Sequence, residues 1–450
     1  MTATKIIATC ARALCATGLF VHYFAVAAIP IEHWTQPSGA KVYLVQSPAI
    51  AMLDVQIDFD AGSRRDPAGK AGLASMTADM LDKGVLAKDG APELDENALS
   101  EAWADLGAQF GASASADRMN FSLRSLTDPA LLDKAVALAA REIAEPSFPE
   151  RIWLRERQRV QAALKESLTR PATLAGRAYG PAVYGSHPYG YEMTEATLGQ
   201  ISVADMQAAH GAGVIACRAR ISMVGAVTRA QADAIAARLL SRLPQVNCAS
   251  LPPTPVVAEV APLTEAVEKR IAFDSAQAHV LIGQPGYKRA DPDYFALTLG
   301  NYILGGGGFV SRLTNEVREK RGLTYGVSSY FAPGLHAGSF TVGLQTRPDQ
   351  TAQAVELVRQ VVKDFVAKGP TEAELKAAKD NLMGGFALRI DSNRKLLDNI
   401  SSIAWNNLPL DYLDTWTQQV NKVSVADVKA AFARKLQPEK MVTVILGAAP

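Results

Sequence analysis

Residues 201–206 have the sequence Ile-Ser-Val-Ala-Asp-Met, and residues 423–428 repeat it as Val-Ser-Val-Ala-Asp-Val, 222 positions further along. The strand-like segment 221–225 returns as 443–447 at the same spacing. Four further residues return 219 positions later: Phe121, Ala135, Val136 and Leu138 correspond to Phe340, Ala354, Val355 and Leu357. A period this long predicts two similar domains, since the repeats of solenoid proteins are much shorter.

Each half of the chain is predicted to contain strands, then helices, then strands again. In the first half the predicted strands are 42–45, 53–59 and 121–126, and the predicted helices are 71–83, 94–106, 129–144 and 148–168. Grouped elements without strict alternation indicate an α+β fold, with an antiparallel-rich sheet and packed helices in each domain. We predict an N-terminal domain over 29–248, a proline-rich linker over 249–270 and a C-terminal domain over 271–450.

The bulk composition supports a folded protein of more than one domain. The chain has 450 residues, of which 48% are hydrophobic and 20% charged, and this length exceeds what one hydrophobic core usually supports. The net charge is +1, and no run of lysine or arginine is long enough to follow a phosphate backbone. Nucleic acid is therefore not an expected partner.

The first 28 residues have the composition of a secretory signal peptide. Lys5 and Arg12 precede an apolar run that ends in Ala25-Val26-Ala27-Ala28, and this run is too short to span a bilayer. We predict cleavage after Ala27 and a periplasmic protein, with an uncleaved N-terminal anchor as the alternative. No later segment is apolar enough for a membrane span. Cys217 and Cys248 could pair in an oxidising compartment, but the sequence leaves their pairing open.

Residues 72–81, Gly-Leu-Ala-Ser-Met-Thr-Ala-Asp-Met-Leu, predict a half-buried helix with apolar residues at 73, 76, 80 and 81. Positions 75, 78 and 79 lie off this apolar stripe, and 75 and 79 are one turn apart. On a helix that binds zinc, such positions carry two histidines and a glutamate base. Here they hold Ser75, Ala78 and Asp79, and neither serine nor alanine can replace imidazole as a zinc ligand.

A second motif runs from residue 304 to residue 325. It begins Leu-Gly-Gly-Gly-Gly-Phe-Val-Ser-Arg-Leu and continues from Glu316 as Glu-Val-Arg-Glu-Lys-Arg-Gly-Leu-Thr-Tyr. A glycine run that enters a helix can bring backbone close to a ligand. A phosphate site is not indicated, because no Gly-Lys-Ser/Thr follows and the spacing is not G-x-G-x-x-G. By itself, a run of four glycines is more often a flexible connection.

Together these features resemble the insulinase (pitrilysin) family of zinc peptidases, and within it the processing-peptidase-like branch, whose subunits have two homologous domains. The resemblance covers nearly all of the chain after the predicted signal. Three short segments match the frame around that family's His-x-x-Glu-His motif: Gly62-Ser63-Arg64, Gly72-Leu73-Ala74 and Lys83-Gly84. The resemblance implies two domains that enclose a chamber.

The resemblance also locates the positions of the family's metal site in this chain. The two histidines fall on Ser75 and Asp79, the glutamate base falls on Ala78, and the third ligand falls on Glu156. One ligand of three cannot hold catalytic zinc, and the base is missing as well. Glu156 could equally be a solvated helix glutamate, which we favour. The resemblance therefore implies no metal in this chain.

Arg318 and Tyr325 have the seven-residue spacing of an arginine and a tyrosine that the family uses in its second half. The resemblance implies that the tyrosine hydroxyl stabilises the oxyanion and that the arginine holds the substrate backbone. It also implies that Gly305, Gly306, Gly307 and Gly308 flank the substrate. The alternative is a surface ion pair for Arg318 and packing at a strand start for Tyr325.

These expectations favour a metal-free subunit of a heterodimeric zinc peptidase that degrades or processes peptides. A homologous partner would carry His-x-x-Glu-His, the zinc and the base, and substrates would be peptides or unfolded proteins. The alternative is a structural or binding pseudopeptidase without a role in catalysis. An autonomous metallopeptidase would require Asp79 and Glu156 to hold zinc without any histidine.

Overall fold

The computed structural model describes residues 29–447 as two large sheets with helices packed against them, together with one small two-stranded sheet. The predicted signal peptide, 1–28, lies outside the described residues. The strands are β1 (Glu32–Thr35), β2 (Lys41–Gln46), β3 (Met52–Phe59), β4 (Gly84–Val85), β5 (Leu94–Asp95), β6 (Gln109–Ala114), β7 (Met119–Leu126), β8 (Arg220–Gly225), β9 (Val267–Ile271), β10 (Ala278–Pro285), β11 (Val327–Phe331), β12 (Ser339–Thr346) and β13 (Val442–Leu446).

Fourteen α-helices are described among residues 29–447. They are α1 (Leu73–Asp79), α2 (Glu96–Asp105), α3 (Pro129–Ala144), α4 (Glu150–Ser167), α5 (Pro171–Tyr184), α6 (Glu195–Gly199), α7 (Val203–Gly213), α8 (Arg229–Leu240), α9 (Tyr294–Asn301), α10 (Thr351–Lys368), α11 (Glu372–Gly384), α12 (Asn393–Asn406), α13 (Tyr412–Lys422) and α14 (Val425–Lys435). None of them is long and apolar enough to cross a membrane.

The two sheets have the same topology. The first has the order β1-β2-β8-β3-β7-β6, and the second has the order β9-β13-β10-β12-β11. Without β1, each position in the first sheet has a counterpart in the second. The β2–β8 and β9–β13 pairs are parallel, and the other neighbours are antiparallel. The predicted α+β fold of two homologous domains is confirmed.

Two predicted elements differ in length from those observed. The helix predicted over 71–83 is shorter, because α1 ends at Asp79 and only a single turn follows at Leu81–Lys83. Gly84 then takes a φ of +150°, which a helix cannot continue. The linker predicted over 249–270 overlaps β9, so its last four residues belong to the second sheet.

The repeated sequence that reveals the duplication forms the start of a helix in each domain. Ser202 caps α7 by accepting a hydrogen bond from the backbone N–H of Asp205, whose carboxylate accepts from the Ser202 N–H. Ser424 and Asp427 form the same capping box at α14. The sequence repeats here because both helices need their first N–H groups satisfied.

We expect Ser202→Ala and Ser424→Ala each to lower the free energy of unfolding by about 1 kcal/mol, because each removes the hydroxyl acceptor at a helix start. Urea unfolding followed by circular dichroism measures the change. Ser100→Ala is the control, since Ser100 is exposed within α2. Equal stability of the control and both variants would contradict the capping role.

One helix of each domain packs on the sheet of the other domain. Helix α5 of the N-terminal half packs on β10 and β13, and helix α12 of the C-terminal half packs on β8 and β3. The Tyr179 hydroxyl of α5 donates to the carbonyl of Phe340 at 3.1 Å and lies 3.0 Å from the Thr341 hydroxyl. On the other side, Ile400 and Ile403 of α12 are buried with Val45. The exchange joins the two domains through buried apolar contacts.

Cys217 and Cys248 form a disulfide, with their Cα atoms 6.1 Å apart. Cys248 lies after α8, directly before the predicted linker, and Cys217 lies just before β8. The neighbouring Arg218 donates to the carbonyl of Pro252 at 2.6 Å. The beginning of the linker is therefore attached to the N-terminal domain at two points.

Candidate functional site

Helix α1 is held in place by Asp66, which precedes it. The two carboxylate oxygens accept from the backbone N–H groups of Gly72 and Ala74 at 2.9 and 3.0 Å. Burial raises the pKa of Asp66 to about 6, even though these hydrogen bonds favour the charged form.

The predicted apolar stripe of α1 is buried, but the prediction that Ala78 lies outside this stripe is wrong. Ala78 is 3% exposed and belongs to the core, so only Ser75 and Asp79 remain on the outer face.

The structure brings Asp79 and Glu156 into one electrostatic cluster on α1 and α4. The Asp79 carboxyl has a raised pKa because neighbouring atoms exclude solvent from it, with Arg159 opposing the shift and Glu156 adding to it. Glu156 is only 9% exposed, so the interpretation as a solvated helix glutamate is wrong. Helix α4 places two arginines, Arg155 and Arg159, around its carboxylate.

Both carboxylate oxygens of Glu156 accept hydrogen bonds from these arginines. Arg159 Nε donates to Oε2 at 2.7 Å, and Arg155 donates to Oε1 at 2.7 and 2.9 Å. Burial raises the pKa of Glu156, but the two guanidinium groups outweigh this effect and lower the pKa overall. Arg155 also forms a bidentate pair with Glu96 at 2.7 Å. Guanidinium groups thus supply the positive charge that a metal would supply to this carboxylate.

These residues do not fit a zinc ion. Among residues 29–447 there is no group of three or more histidine, cysteine, aspartate or glutamate side chains that could hold a metal. Ser75 cannot coordinate zinc as imidazole does, and the oxygens of Glu156 already accept from arginine. This half of the chain therefore offers neither the ligands nor a glutamate base at position 78.

We expect the purified chain to bind no stoichiometric zinc, because no residue set in this cluster satisfies tetrahedral N/S coordination. Mass-spectrometric metal analysis after dialysis should find less than about 0.1 zinc per chain, and EDTA should leave the melting temperature unchanged. A family member with intact His-x-x-Glu-His is the positive control. One zinc per chain, lost on Asp79→Ala, would revive the autonomous metallopeptidase.

The glycine run lies on the second domain and is closely packed at its beginning. Residues Tyr302–Gly306 form a π-helical turn, a rare structure often found at functional sites. Gly305 is buried against the edge strand β11, where a Cβ would lie 2.5 Å from the backbone N of Ser329. Asn301 fixes the same strand through hydrogen bonds of 3.1 and 2.8 Å to Ser329. This part of the run is a tight packing contact, whereas Gly306 and Gly308 are exposed.

Arg318 forms a surface ion pair with Glu319, and this pair is longer than those of the cations around it. Lys320 and Arg321 are paired with Glu316 at 2.6 and 2.7 Å. Within the described chain, the nearest carboxylate to Arg318 is that of Glu319, and its Nε–Oε1 distance is 3.4 Å. The guanidinium lies over the ring of Phe309, 4.8 Å from the ring centroid. Arg318 is therefore a positioned cation with a loose ion pair among residues 29–447.

Tyr325 projects from a firmly anchored loop and is 87% exposed, so it does not pack at a strand start. On one side, the buried Thr324 donates its hydroxyl to the carbonyl of Gln345 at 2.6 Å. On the other, the Gly326 N–H donates to Thr324 Oγ1 at 3.0 Å. A rigid backbone thus presents the Tyr325 phenol to solvent.

Phe309 and Val310, which are 72% and 75% exposed beside the glycine run, were not among the predicted site residues. Phe309 contacts Arg318, and we call the segment with Phe309, Val310, Arg318 and Tyr325 the 309–325 surface. In the sequence, this surface is indicated by two adjacent large apolar residues directly after four glycines, because a solvated loop rarely carries such a pair. Residues 111–116 overlap β6, which is an edge strand of the first sheet.

Comparison with known families gives two matches that together cover most of the chain. Residues 41–195 match the family model of insulinase (peptidase family M16). Residues 200–382 match the model of the peptidase M16 inactive domain. The crystal structure of a peptidase M16 inactive domain from Pseudomonas fluorescens is 35% identical, covers 94% of this chain and 98% of that one, and superposes with a TM-score of 0.86.

Two curated relatives are similar at about one third identity over a shorter stretch. An uncharacterized zinc protease of Streptomyces coelicolor is 33% identical over 162 residues, which is 36% of this chain and 35% of that protein. A protein of Helicobacter pylori described as the non-peptidase homolog YmxG is 34% identical over 164 residues, 36% of this chain and 37% of that protein. The aligned region thus spans about a third of these two relatives.

Proposed function

The chain belongs to the insulinase family, peptidase family M16, and on this basis we propose that it is the metal-free subunit of a heterodimeric zinc peptidase. A homologous partner would carry His-x-x-Glu-His and supply the zinc and the general base. This chain would contribute the 309–325 surface to a shared chamber. The substrates would be peptides or unfolded proteins, because an extended backbone can reach a site between two chains.

The observation that carries this proposal is the contrast between the two halves of the chain. Glu156, the one family ligand retained in the first half, is held by Arg155 and Arg159. In the second half Tyr325 is exposed, and the nearest described carboxylate to Arg318 lies 3.4 Å away. A chain that had lost all function would not need an exposed phenol on a rigid loop. This contrast favours a protein that lacks the metal ligands but retains the hydrogen-bond donors of Arg318 and Tyr325.

In the proposed mechanism, each side chain has a separate task. The Tyr325 hydroxyl donates a hydrogen bond to the oxygen on which negative charge develops when the scissile carbonyl is attacked. The Arg318 guanidinium donates to backbone carbonyls of the substrate and holds the peptide extended. Because Phe309 already stacks on Arg318, little side-chain entropy remains to be lost on binding. The exposed Gly306 and Gly308 allow the peptide backbone to approach closely.

We further propose that the chain acts in the periplasm. The predicted signal peptide at residues 1–28 and the Cys217–Cys248 disulfide both support this location, since disulfides persist in oxidising compartments. Cell fractionation with an antibody against the chain tests it, and recovery in the cytoplasm with both cysteines reduced would refute it.

The second candidate function is a structural or binding pseudopeptidase. It is favoured by the hydrogen bonds that Arg155 and Arg159 donate to Glu156. Arg318→Ala separates the two candidates. In the mixture with the zinc-bearing partner, we expect kcat/KM for an unstructured quenched peptide to fall at least tenfold, because the substrate loses a charge-assisted contact. Arg321→Ala is the control, since Arg321 is paired with Glu316. Unchanged hydrolysis by the Arg318 variant would favour the pseudopeptidase.

A further inference from the structure

Two buried histidines lie where the two domains meet. His187 precedes a single 3₁₀ turn at Pro188–Gly190 of the N-terminal domain, and His336 lies in the loop between β11 and β12 of the C-terminal domain. The two residues are 5% and 9% exposed, and their ring centroids are 5.1 Å apart. Tyr184 of α5 and Tyr189 also pack on the His187 ring, with centroid distances of 6.5 and 4.7 Å.

The hydrogen bonding of His187 requires a neutral ring. Its Nδ1 accepts from the backbone N–H of Tyr189 at 3.1 Å and thereby caps the turn. Since a backbone N–H can only donate, Nδ1 carries no proton in this arrangement. An imidazolium has a proton on each nitrogen and cannot accept such a bond. The cap therefore exists only while His187 is neutral.

Tyr189, within the capped turn, connects the two domains. Its hydroxyl donates to Asp117 Oδ1 at 2.6 Å and accepts from the backbone N–H of His336 at 3.2 Å. The other oxygen of Asp117 accepts from the backbone N–H of Leu335 at 2.9 Å. The packing is close, because a Cβ at Gly334 would lie 2.5 Å from the Tyr189 hydroxyl oxygen. The β11–β12 loop of the C-terminal domain thus rests on the capped turn of the N-terminal domain.

The charged groups that face His187 come from three separate segments. His336 belongs to the β11–β12 loop, Asp117 to the β6–β7 turn and Glu259 to the linker. Burial, followed by the neighbouring His336, lowers the pKa of His187. The Ala258 carbonyl, Glu259 and Asp117 oppose this shift but do not cancel it.

Both of these carboxylates already have cationic partners. Arg64 Nε donates to Asp117 at 3.1 Å, and Lys288 donates to Glu259 at 2.6 Å. Glu259 also lies 3.2 Å from Nδ1 of the second histidine. A proton on His187 would therefore place a further positive charge beside anions that are already paired.

We propose that protonation of His187 releases the β11–β12 loop from the N-terminal domain. The proton on Nδ1 removes the cap of the turn, and Tyr189 then no longer holds the loop. Because the pKa of His187 is lower in the folded protein than its ordinary value of 6.5, the unfolded chain takes up the proton first. Native stability consequently falls as pH falls from about 6.5 to the folded pKa. The contact between the domains is complete near neutral pH and loosens in acid.

Hydrogen exchange of the whole chain, followed by mass spectrometry, tests the proposal without any partner or zinc. The N–H groups of Leu335 and His336 donate across the junction, so their exchange reports the contact. Each rate is divided by that of the urea-unfolded chain at the same pH, which removes the intrinsic pH dependence. Protection of residues 333–338 should fall at least about tenfold between about pH 7.5 and about pH 5. The midpoint should lie below pH 6.5, while β10, paired on both sides, stays protected.

Three variants assign this transition to His187. In His187→Asn the amide oxygen can cap the turn but does not titrate, so protection should change less than about twofold over the same pH range. His187→Phe keeps a ring but no acceptor, and its protection should be low throughout. His33→Asn, at an exposed histidine of β1, is the control and should behave as the parent does.

His336→Asn separates the roles of the two histidines. It removes a group that lowers the pKa of His187, so the transition should persist with its midpoint moved to higher pH. A parent with equal protection at both pH values, or with a midpoint above pH 6.5, would overturn the proposal. So would a transition that survives His187→Asn or disappears in His336→Asn.

Discussion

Replacing Tyr325 with phenylalanine should lower kcat of the assembled peptidase by about 10²–10³, the usual cost of removing one donor to a developing oxyanion. The hydroxyl is the only group lost, and the side chain is 87% exposed, so the fold of this chain should not change. KM should change by less than about threefold, because the contact forms mainly in the transition state. Steady-state hydrolysis of a quenched, unstructured peptide by the mixture measures both constants.

Tyr330→Phe provides the matched control for Tyr325→Phe. Tyr330 lies on the edge strand β11 of the same domain and is 50% exposed, but it is outside the 309–325 surface. It should retain full activity in the same assay. A Tyr325→Phe complex with less than a threefold loss in kcat would show that the phenol does not act on the reacting carbonyl.

Removing the disulfide by Cys217→Ser and Cys248→Ser together should lower the free energy of unfolding by about 3–4 kcal/mol. The bond links residues 31 positions apart, so without it the unfolded chain regains the entropy of an open loop. Guanidinium unfolding of the oxidised parent and the double variant, followed by circular dichroism, measures the difference.

Reduction provides the control for the disulfide prediction. A thiol reductant should bring the parent close to the double variant and should leave the double variant itself unchanged. If the oxidised parent and the double variant unfold within about 1 kcal/mol of each other, the bond does not stabilise the native state by loop closure. That result would also weaken the argument for an oxidising compartment.

Much of the fold was predictable because it depends on local patterns. Helix α3 spans the predicted residues 129–144, and α4 and α2 begin and end within two residues of their predictions. The duplicated topology follows from short repeats that recur for a physical reason, as the capping boxes at Ser202 and Ser424 illustrate. Such features are encoded within a few neighbouring residues.

Features that depend on tertiary packing could not be predicted. The exchange of α5 and α12 between domains leaves no local pattern, since an apolar helix face does not specify which sheet it covers. Ala78 is too small to indicate burial by periodicity. For Glu156, alternating charges on α4 did not reveal that Arg155 and Arg159 both fold back onto one carboxylate.

The central claim is that this chain completes the active site of a zinc-bearing partner. The most direct measurement is hydrolysis of an unstructured, quenched peptide by three samples: this chain alone, a co-occurring relative with His-x-x-Glu-His alone, and an equimolar mixture. We expect activity in the mixture that exceeds the sum of the two separate samples by at least about tenfold. Full activity from the relative alone, unaltered by this chain, would contradict it.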